Sequence, residues 1–402
     1  MWKPLIEKSN ITKYDQKLEE IYSLLATNTK NINDFGLLGG KLGILLFFCC
    51  YYKKSKSKEI LLSINELVNA IVEYYNTKNS FKTFANGITG YLWMVKFLIK
   101  NGFLCIEEDD FFKHIESYIN KYMMTEINKG NYDYMHGALG PFMYFLNTSN
   151  INFCEDFIDK LDSLGVKDEK CNGKRWFYFK DNNIIDLSVS FGLSHGITSI
   201  LSLLNKSYAS GIKTEKCRTL IKEITNYLLY HKQDVGKYKS YFPYSLDEDL
   251  NNHHFSRLAW CYGDLGIGYS MLKSGYLLQD KSLINEANKI LIHTTQRRNC
   301  LKNLVYDAGF CHGAAGHAHL YNRLYQITNT IEYKDAAIYW YNKVFSFSNC
   351  KEGLAGFKFC KSYIEKEYYD SYGVLEGIGG IGLVLISAIT EIEPSWDEVF
   401  LL

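Results

Sequence analysis

The stretch Phe310-Cys311-His312-Gly313-Ala314-Ala315-Gly316 places two soft metal ligands directly before a Gly-x-x-Gly that opens an apolar run. Fifty residues earlier, Trp260-Cys261-Tyr262-Gly263-Asp264-Leu265-Gly266 has a cysteine at the same place, two residues before the first glycine. The match indicates a repeat. The two cysteines and the histidine together predict a three-ligand metal site made by adjacent repeats.

The Gly-x-x-Gly pattern recurs along the whole chain. A seventh copy, which begins at Gly196, has Ser199 where the second glycine would stand. The intervals between first glycines run from 47 to 67 residues, a loose but recurrent period that is typical of repeat architectures. The six complete pairs are Gly40/Gly43, Gly87/Gly90, Gly137/Gly140, Gly263/Gly266, Gly313/Gly316 and Gly377/Gly380.

Two kinds of helix alternate around these glycines. The run after each pair is apolar nearly all round, which indicates a buried inner helix, and the segment before it is amphipathic, which indicates an outer helix. The clearest inner runs are 44–52, 91–99, 200–204 and 381–389, and the outer segments are 14–25, 60–75, 111–124, 157–164, 214–230, 283–294 and 333–345. Seven outer–inner pairs with short turns can close into a double-walled ring. The sequence therefore predicts an all-α fold, an α/α toroid, as a single domain over residues 1–402.

Three longer connections interrupt the repeats at about 165–190, 233–256 and 346–372. Aromatic stretches within them, Arg175-Trp176-Phe177-Tyr178-Phe179 and Tyr238-Lys239-Ser240-Tyr241-Phe242, predict short β-like insertions at one rim. Long loops often carry substrate contacts, but a purely structural role in closing the lumen is equally compatible with the pattern.

Composition limits the setting. With 45 basic and 44 acidic residues and a net charge of +1, the chain lacks the electrostatic signature of a protein that binds nucleic acid or an anionic membrane, and we expect neither as the main partner. The sequence has no apparent signal peptide or membrane span. Eleven cysteines, an odd number without compact spacing, indicate a reducing cytoplasm.

The residue just before each first glycine forms a polar series. If the repeats are equivalent, these residues converge at the N-terminal ends of the inner helices, where the helix dipoles favour anions and thiolates. A polar ring inside an apolar tube predicts a functional site. In chain order the residues are Gly39, Asn86, His136, His195, Tyr262, His312 and Glu376.

Cys261, Cys311 and His312 are the candidate ligands of a zinc ion. Zinc takes thiolate sulfur and imidazole nitrogen, and a catalytic site keeps three protein ligands with a fourth place open. A lone cysteine is more often a small core residue, but two in equivalent repeat positions favour ligation. We expect His317 and His319 on the body of the following helix, and His253 and His254 in a loop.

Three stretches resemble the signature motifs of the lanthionine synthetase C-like cyclases, in the same order. They are Gly192-Leu193-Ser194-His195-Gly196, Trp260-Cys261-Tyr262-Gly263 and Cys311-His312-Gly313. The seven-repeat pattern covers almost the whole chain, so the resemblance is not confined to a fragment. Two departures, Leu265 where the family commonly has proline and Ser199 for a repeat glycine, affect local turn geometry and no proposed ligand.

The resemblance implies a stand-alone cyclase that binds one zinc through Cys261, Cys311 and His312. Such an enzyme adds cysteine thiols of a ribosomally made precursor peptide, leader plus core, to dehydroalanine or dehydrobutyrine, which gives lanthionine or methyllanthionine rings. His195 matches the family's candidate acid/base. Asp133 and Arg257 match two further active-site positions, and Tyr262 follows a zinc ligand as in the family motif. The resemblance also implies work with a dehydratase and an ABC exporter, peripheral to the inner face of the cell membrane.

Chemistry supports the same assignment. Addition of a thiol to an activated double bond needs a thiolate, a group that stabilises the enolate and an acid that protonates the α-carbon. His195 could accept the thiol proton and return one, and Asp133 could fix its tautomer. Arg257 could stabilise the enolate oxygen or pair with a carboxylate. For Asp133 and Arg257 taken alone, a structural salt bridge is an equally good interpretation.

Two other functions compete. A zinc toroid could bind glutathione or a thiol peptide without transforming it, although such a protein would have less need of His195, Asp133 and Arg257. A glycosidase on an α/α toroid would need two opposed carboxylates in the lumen. The available acids are Asp133, Asp264, Asp307 and Glu376, but a glycosidase would not need the cysteine pair.

Overall fold

A computed structural model describes residues 2–77, 81–106, 110–180, 184–186, 188–246 and 254–402. Helices dominate this part of the chain. In order they are α1 (Ile11–Asn28), α2 (Lys41–Ser55), α3 (Lys58–Thr77), α4 (Ile88–Lys100), α5 (Asp110–Asn128), α6 (Leu139–Phe145), α7 (Ile151–Leu164), α8 (Ile197–Ala209), α9 (Thr214–Tyr230), α10 (Val235–Tyr238), α11 (Asp264–Leu278), α12 (Lys281–Thr295), α13 (Ala314–Thr328), α14 (Ile331–Ser346) and α15 (Ile378–Ile389).

The helices fall into the two expected layers. The outer helices α1, α3, α5, α7, α9, α12 and α14 bury one stripe each, as α1 does with Leu18, Ile21 and Leu25. The inner helices are α2, α4, α6, α8, α11, α13 and α15, and every residue of α15 is buried. Burial all round requires neighbours on every side, which an outer wall and adjacent inner helices provide.

The inner helices close into a ring. Each contacts the next in the order α2, α4, α6, α8, α11, α13 and α15, and α15 packs in turn against α2. The predicted all-α toroid with seven outer–inner pairs is therefore confirmed. The single-domain boundaries at 1–402 stay a prediction.

Backbone hydrogen bonds join the turns that precede the inner helices. At the place two residues before the first glycine, six of the seven amides donate to the carbonyl oxygen of the equivalent residue in the next repeat, over 2.9 to 3.4 Å. Among the described residues one link of this ring is replaced. The amide of Met135 donates to Oδ1 of Asp133 (2.8 Å) instead of to Ser194. The links run from Leu38 to Ala85, from Ala85 to Met135, from Ser194 to Cys261, from Cys261 to Cys311, from Cys311 to Leu375 and from Leu375 to Leu38.

The repeat glycines allow the turns to fold back on their own helices. A Cβ on Gly90 would lie 2.2 Å from the carbonyl oxygen of Phe84, and Gly263 has φ of +90°. The serine copy keeps the same geometry, because α8 still begins one residue after Gly196 and the Ser199 hydroxyl donates to the Gly196 carbonyl oxygen (2.6 Å). Ser199 therefore does not disturb the turn.

Short antiparallel strands occupy the insertions. The pairs are β1 (Val166–Asp168) with β2 (Gly173–Arg175), β3 (Tyr178–Lys180) with β4 (Ile184–Asp186), β5 (Val189–Ser190) with β6 (Ser245–Leu246) and β7 (Phe359–Ser362) with β8 (Glu367–Tyr369). The β-like character expected for 165–190 and 346–372 is confirmed. The strand expected over Tyr238–Phe242 is wrong, because Tyr238 ends α10 and the amides of Tyr241 and Phe242 donate to the carboxylate of Asp264 (3.0 Å each) rather than to a neighbouring strand.

The lumen is filled from one end by the 3₁₀-helix Ser395–Phe400, which we call the lumen segment. Its backbone and side chains hydrogen-bond to inner helices and to the turns before them, as in the bond from Trp93 Nε1 on α4 to Glu398 (3.0 Å). Trp396, Val399 and Phe400 are buried. In the described part of the chain, no helix has the length and apolar character needed to cross a membrane.

Replacing Gly90 by alanine should destabilise the protein. In an isolated helix, replacing glycine by alanine raises helix stability by about 1 kcal/mol. Here the new Cβ would clash with the Phe84 carbonyl oxygen, which belongs to the backbone and cannot easily move. We therefore expect the free energy of unfolding to fall by about 2 kcal/mol. Chemical denaturation measures the difference. Gly236→Ala is the control, because its Cβ would meet only the flexible side chain of Asp234. Equal stability of both variants with the wild type would contradict the close-approach explanation.

Candidate functional site

Two adjacent turns bring three metal-ligand side chains together. Cys261 precedes α11, and Cys311 and His312 precede α13. One ligand atom from each residue lies within 4.8 Å of the others. The amide of Cys261 donates to the Cys311 carbonyl oxygen (3.4 Å), so the backbone ring itself holds the two turns side by side. Both cysteines are buried and His312 is partly exposed.

The cluster fits a zinc ion. In a tetrahedral site with two thiolates and one imidazole, the ligand atoms are about 3.5 to 3.8 Å apart. The observed upper limit of 4.8 Å needs only a small contraction of three side chains. Within the described residues this is the cluster whose donor atoms suit a soft divalent cation.

The pKa values of the two cysteines are shifted in opposite directions. The hydrogen bond from the Cys311 thiol lowers the pKa of Cys261 well below its usual range, and His312 acts in the same direction. The Cys261 thiolate in turn raises the pKa of Cys311. The lowered pKa favours the thiolate form of Cys261, and Cys311 would lose its proton on binding a cation, as metal ligation requires.

His195 forms a second polar pair beside the cluster. Its Nδ1 lies 2.5 Å from Oδ2 of Asp133, whose Oδ1 accepts the amides of Met135 (2.8 Å) and His136 (2.7 Å). Burial lowers the pKa of His195, but the hydrogen bond and the charge of Asp133 outweigh burial and raise it. Burial raises the pKa of Asp133, but the hydrogen bond and charge of His195 and the hydrogen bond from the His136 amide bring it below its ordinary value.

Arg257 stands between two pockets. One, of about 480 Å³, also contains His312 and Glu376, and the other, of about 450 Å³, contains Tyr262 and Tyr244. The Arg257 Nη2 donates to the Leu304 carbonyl oxygen (2.7 Å). No ion pair of Arg257 occurs within the described ranges, so the structural salt-bridge interpretation finds no support for this residue.

The polar series before the glycines faces the open end of the ring. Each of its members is exposed or partly exposed, whereas the flanking turn residues are mostly buried. The ring centroid of His195 lies 6.5 Å from that of His136 and 6.4 Å from that of Tyr262. His312 Nδ1 lies 3.7 Å from a Glu376 oxygen. The structure therefore brings Asp133, His195, Tyr262, Arg257 and the three metal-ligand residues to one end of the lumen.

The model of the family "Lanthionine synthetase C-like protein" matches residues 13–401. The chain belongs to the lanthionine synthetase C-like family. The nisin biosynthesis protein NisC of Lactococcus lactis subsp. lactis is 23% identical over 416 residues, which cover 95% of this chain and 92% of NisC. The solved structure of nisin cyclase superposes with a TM-score of 0.74 at 21% identity, over 96% of this chain and 97% of that one. The family indicated by the signature motifs and the toroid predicted from the glycine repeats are thus confirmed.

Three further histidines in the described part of this lanthionine synthetase C-like protein, His254, His317 and His319, lie outside the metal cluster. His317 Nε2 contacts the Leu258 carbonyl oxygen (2.7 Å) and His319 Nε2 contacts Asp397 (2.6 Å), both inside α13 as expected. Burial lowers the pKa of His317 to about 3. His254 accepts the Tyr244 amide (3.3 Å) in a loop, and His253 lies outside the described residues.

Two of the four candidate glycosidase carboxylates, Asp264 and Asp307, accept hydrogen bonds from backbone amides. Asp264 is buried against Arg297 (3.3 Å) and accepts two loop amides. Asp307 accepts the amides of Gly309 (2.8 Å) and Cys360 (3.0 Å). Since both hold backbone in place, no opposed pair of free acids is available from them, and the geometry disfavours glycoside hydrolysis.

The sequence did not identify one wall of the pocket of about 480 Å³ that contains His312. This wall comes from the β7–β8 hairpin and from the loop before α13, and the only sequence signal was the length of the insertion at 346–372. Tyr363 stacks on Tyr306 with centroids 4.2 Å apart, and the Tyr369 hydroxyl donates to Glu376 (2.6 Å). The lining residues from these two segments are Tyr306, Cys360, Lys361, Tyr363 and Tyr369.

Replacing Asp133 by asparagine should lower the pKa of His195. The variant loses the hydrogen bond to the carboxylate and the charge of Asp133, which are the largest causes that raise this pKa, but it keeps the burial that lowers it, so the pKa should fall. NMR titration of the histidine ring nitrogens measures the change. Glu126→Gln, which alters an acid that binds Asn131 in the same turn (2.7 Å), is the control and should leave His195 unchanged. A His195 pKa that stays raised in Asp133→Asn would remove Asp133 as its cause.

Proposed function

We propose that this chain is a zinc-dependent lanthipeptide cyclase, an enzyme that closes thioether rings in a dehydrated precursor peptide. The observation that carries the proposal is the Cys261, Cys311 and His312 cluster next to the hydrogen-bonded pair of His195 and Asp133. The names of two relatives, a nisin biosynthesis protein and a nisin cyclase, agree with this class of reaction.

Cys261, Cys311 and His312 would hold the zinc. When bound, zinc would lower the pKa of a coordinated substrate thiol and leave it as a thiolate near neutral pH. Three protein ligands leave one coordination place for that thiol, as a catalytic site requires. The buried position of both cysteines keeps bulk water from competing on the protein side of the cluster.

His195 would move the protons. Since Nδ1 is engaged by Asp133, Nε2 is the nitrogen left for exchange with the substrate. The imidazole accepts the thiol proton, the sulfur bonds to the β-carbon of the dehydro residue, and the displaced π electrons form an enolate. His195 then returns a proton to the α-carbon. The net change is addition of S–H across C=C, and Asp133 stabilises the imidazolium between the two transfers.

Arg257 would stabilise the enolate oxygen. Its buried Nε has no hydrogen-bond partner among the described residues, while Nη2 is fixed by the Leu304 carbonyl oxygen. A preorganised donor with an unused N–H, next to the pocket of Tyr262 and the pocket of His312, suits a negative charge that develops during the reaction. Tyr262 would line the site on the His195 side.

The peptide would approach along the β7–β8 hairpin. Lys361, Tyr363 and Tyr369 contribute to the pocket that contains His312, and the hairpin tip carries Ile364 with 93% of its surface exposed. Aromatic side chains give a peptide apolar contact area at low entropic cost. A dehydratase and an ABC exporter at the inner face of the cell membrane stay predicted partners, on the family resemblance alone.

A non-catalytic zinc toroid that binds glutathione or a thiol peptide would share the metal cluster. The pair of His195 and Asp133 favours the cyclase, because thiol binding alone needs no group that exchanges protons. The His195 test below separates the two functions.

Metal analysis should find about one zinc per chain in the wild type, since one cluster with suitable ligands is present in the described residues. The double variant Cys261→Ala/Cys311→Ala should lose it, because His312 alone cannot hold zinc. The matched control is Cys154→Ala/Cys217→Ala, which removes two fully buried cysteines of the outer helices and should keep the metal. Full zinc occupancy in the first variant would refute the ligand assignment.

Replacing His195 by asparagine should slow ring closure by about 10² to 10⁴ while zinc and fold are retained. The assay is mass spectrometry of a dehydrated peptide after thiol alkylation, because cyclisation leaves the mass unchanged but removes the alkylatable thiol. His136→Asn, at the equivalent position of the preceding repeat and exposed, is the control and should change the rate far less. Binding of the peptide by the wild type without any loss of thiols would favour the non-catalytic alternative.

A further inference from the structure

The lumen segment lies directly beneath the two cysteine turns. Phe400 stacks on Phe310, the residue before Cys311, with ring centroids 3.8 Å apart. The same ring packs edge-on against Trp260, the residue before Cys261, at 5.3 Å. Trp260 Nε1 also donates to the Phe400 carbonyl oxygen (2.8 Å). One residue thus contacts the immediate chain neighbours of both sulfur ligands.

Other parts of the ring hold this segment in place. Asp397 accepts hydrogen bonds from His319 (2.6 Å) and from Arg323 Nε (2.6 Å), both on α13. Burial raises the pKa of Asp397, but the charge of Arg323 outweighs it and brings the pKa to about 2, so the acid stays ionised. Glu398 pairs with Lys206 on α8. The buried ion pair of Asp397 and Arg323 fixes the orientation of the lumen segment, because moving the segment would leave a buried charge without its partner.

Further bonds connect the segment to the remaining walls. Trp396 Nε1 donates to the Ser387 hydroxyl on α15 (3.2 Å), and the Tyr134 hydroxyl donates to the Val399 carbonyl oxygen (3.0 Å) before α6. Trp396 also packs edge-on against Phe310 at 5.8 Å. The segment is therefore tied to several inner elements at once, and its position is fixed relative to the whole ring rather than to one repeat.

We propose that Phe400 is a positioning residue of the metal site, which sets the separation of Cys261 and Cys311 from below through Trp260 and Phe310. The hydrogen bonds between the turns fix the backbone carbonyl and amide groups of the two cysteine turns. They do not by themselves fix the orientation of the cysteine side chains. Close packing of Phe400 under both preceding residues removes this freedom, since protein interiors transmit displacements of neighbouring side chains. The inference rests on the proposed zinc site and adds to it a determinant outside the metal ligands.

The test compares zinc release from Phe400→Ala with release from the wild type. A chromophoric chelator is added in excess at a temperature at which both proteins are fully folded by circular dichroism. We expect release about 10-fold faster, in the range found when groups that orient metal ligands are removed. The ligand-field spectrum of the cobalt-substituted protein should change as well, because it reports the geometry of the sulfur ligands.

Phe157→Ala is the matched control. It deletes an equally buried phenylalanine of the outer helix α7, which stacks on Phe142 of the inner helix α6 at 4.4 Å, and it should lower stability while leaving zinc release and the cobalt spectrum unchanged. Should Phe400→Ala fail to fold, Phe400→Leu keeps most of the volume without the stacked ring and should give a smaller change in the same direction.

The outcomes separate the two proposals. A wild type without zinc would overturn the proposed metal site and this inference with it. A wild type that holds zinc, with release from the folded Phe400 variant no faster than from Phe157→Ala, would overturn the positioning role alone. Faster release that is confined to the Phe400 variants would establish it.

Discussion

The backbone hydrogen bonds between the turns are the constraint on which the rest of the structure depends. Each bond joins the same place in two repeats, so all inner helices begin at one level of the ring. Cys261 and Cys311 occupy this place, and the amide of Cys311 is itself bonded to Leu375 (2.9 Å). A turn bonded on both sides cannot slide along the lumen without leaving buried amides unpaired, at about 1 to 3 kcal/mol for each. The spacing of the sulfur ligands follows from the closure of the ring.

His195, the proposed proton carrier, lies where the ring of backbone hydrogen bonds between the turns is interrupted. The amide of Met135, which by analogy would donate to Ser194, donates instead to Asp133. The other carboxylate oxygen of Asp133 reaches His195, the residue after Ser194. A carboxylate is thus inserted between two repeats and joins them through side chains. The ring keeps its continuity, and the substitution of a charged group for a peptide carbonyl creates an imidazole whose pKa is raised.

The sequence predicted the parts of this arrangement that rest on local pattern. The glycine spacing predicted the seven helix pairs, and the equivalent positions of Cys261 and Cys311 predicted the metal cluster. Both patterns can be read from short stretches of sequence that recur in each repeat. Contacts between distant segments left no such signal. Tyr238–Phe242 alternates like a strand, yet its amides are bonded to Asp264 on α11, an interaction that no local pattern encodes. The lumen segment escaped prediction for the same reason, since its hydrogen-bond and ion-pair partners come from four different helices and two turns.

Under the proposed function, the division between repeats and insertions would also separate the reaction chemistry from selection of the peptide. One end of the lumen is filled by the lumen segment, so the proposed peptide substrate would reach the cluster from the turn end. The turns themselves cannot vary freely there, because their glycines contact backbone at distances that exclude a Cβ. The β7–β8 hairpin is under no such restriction, and Ile364 at its tip adds nothing to the core. Under the proposed function, we infer that the peptide preference of this chain is set in the insertions, while the groups that carry the reaction lie on the ring.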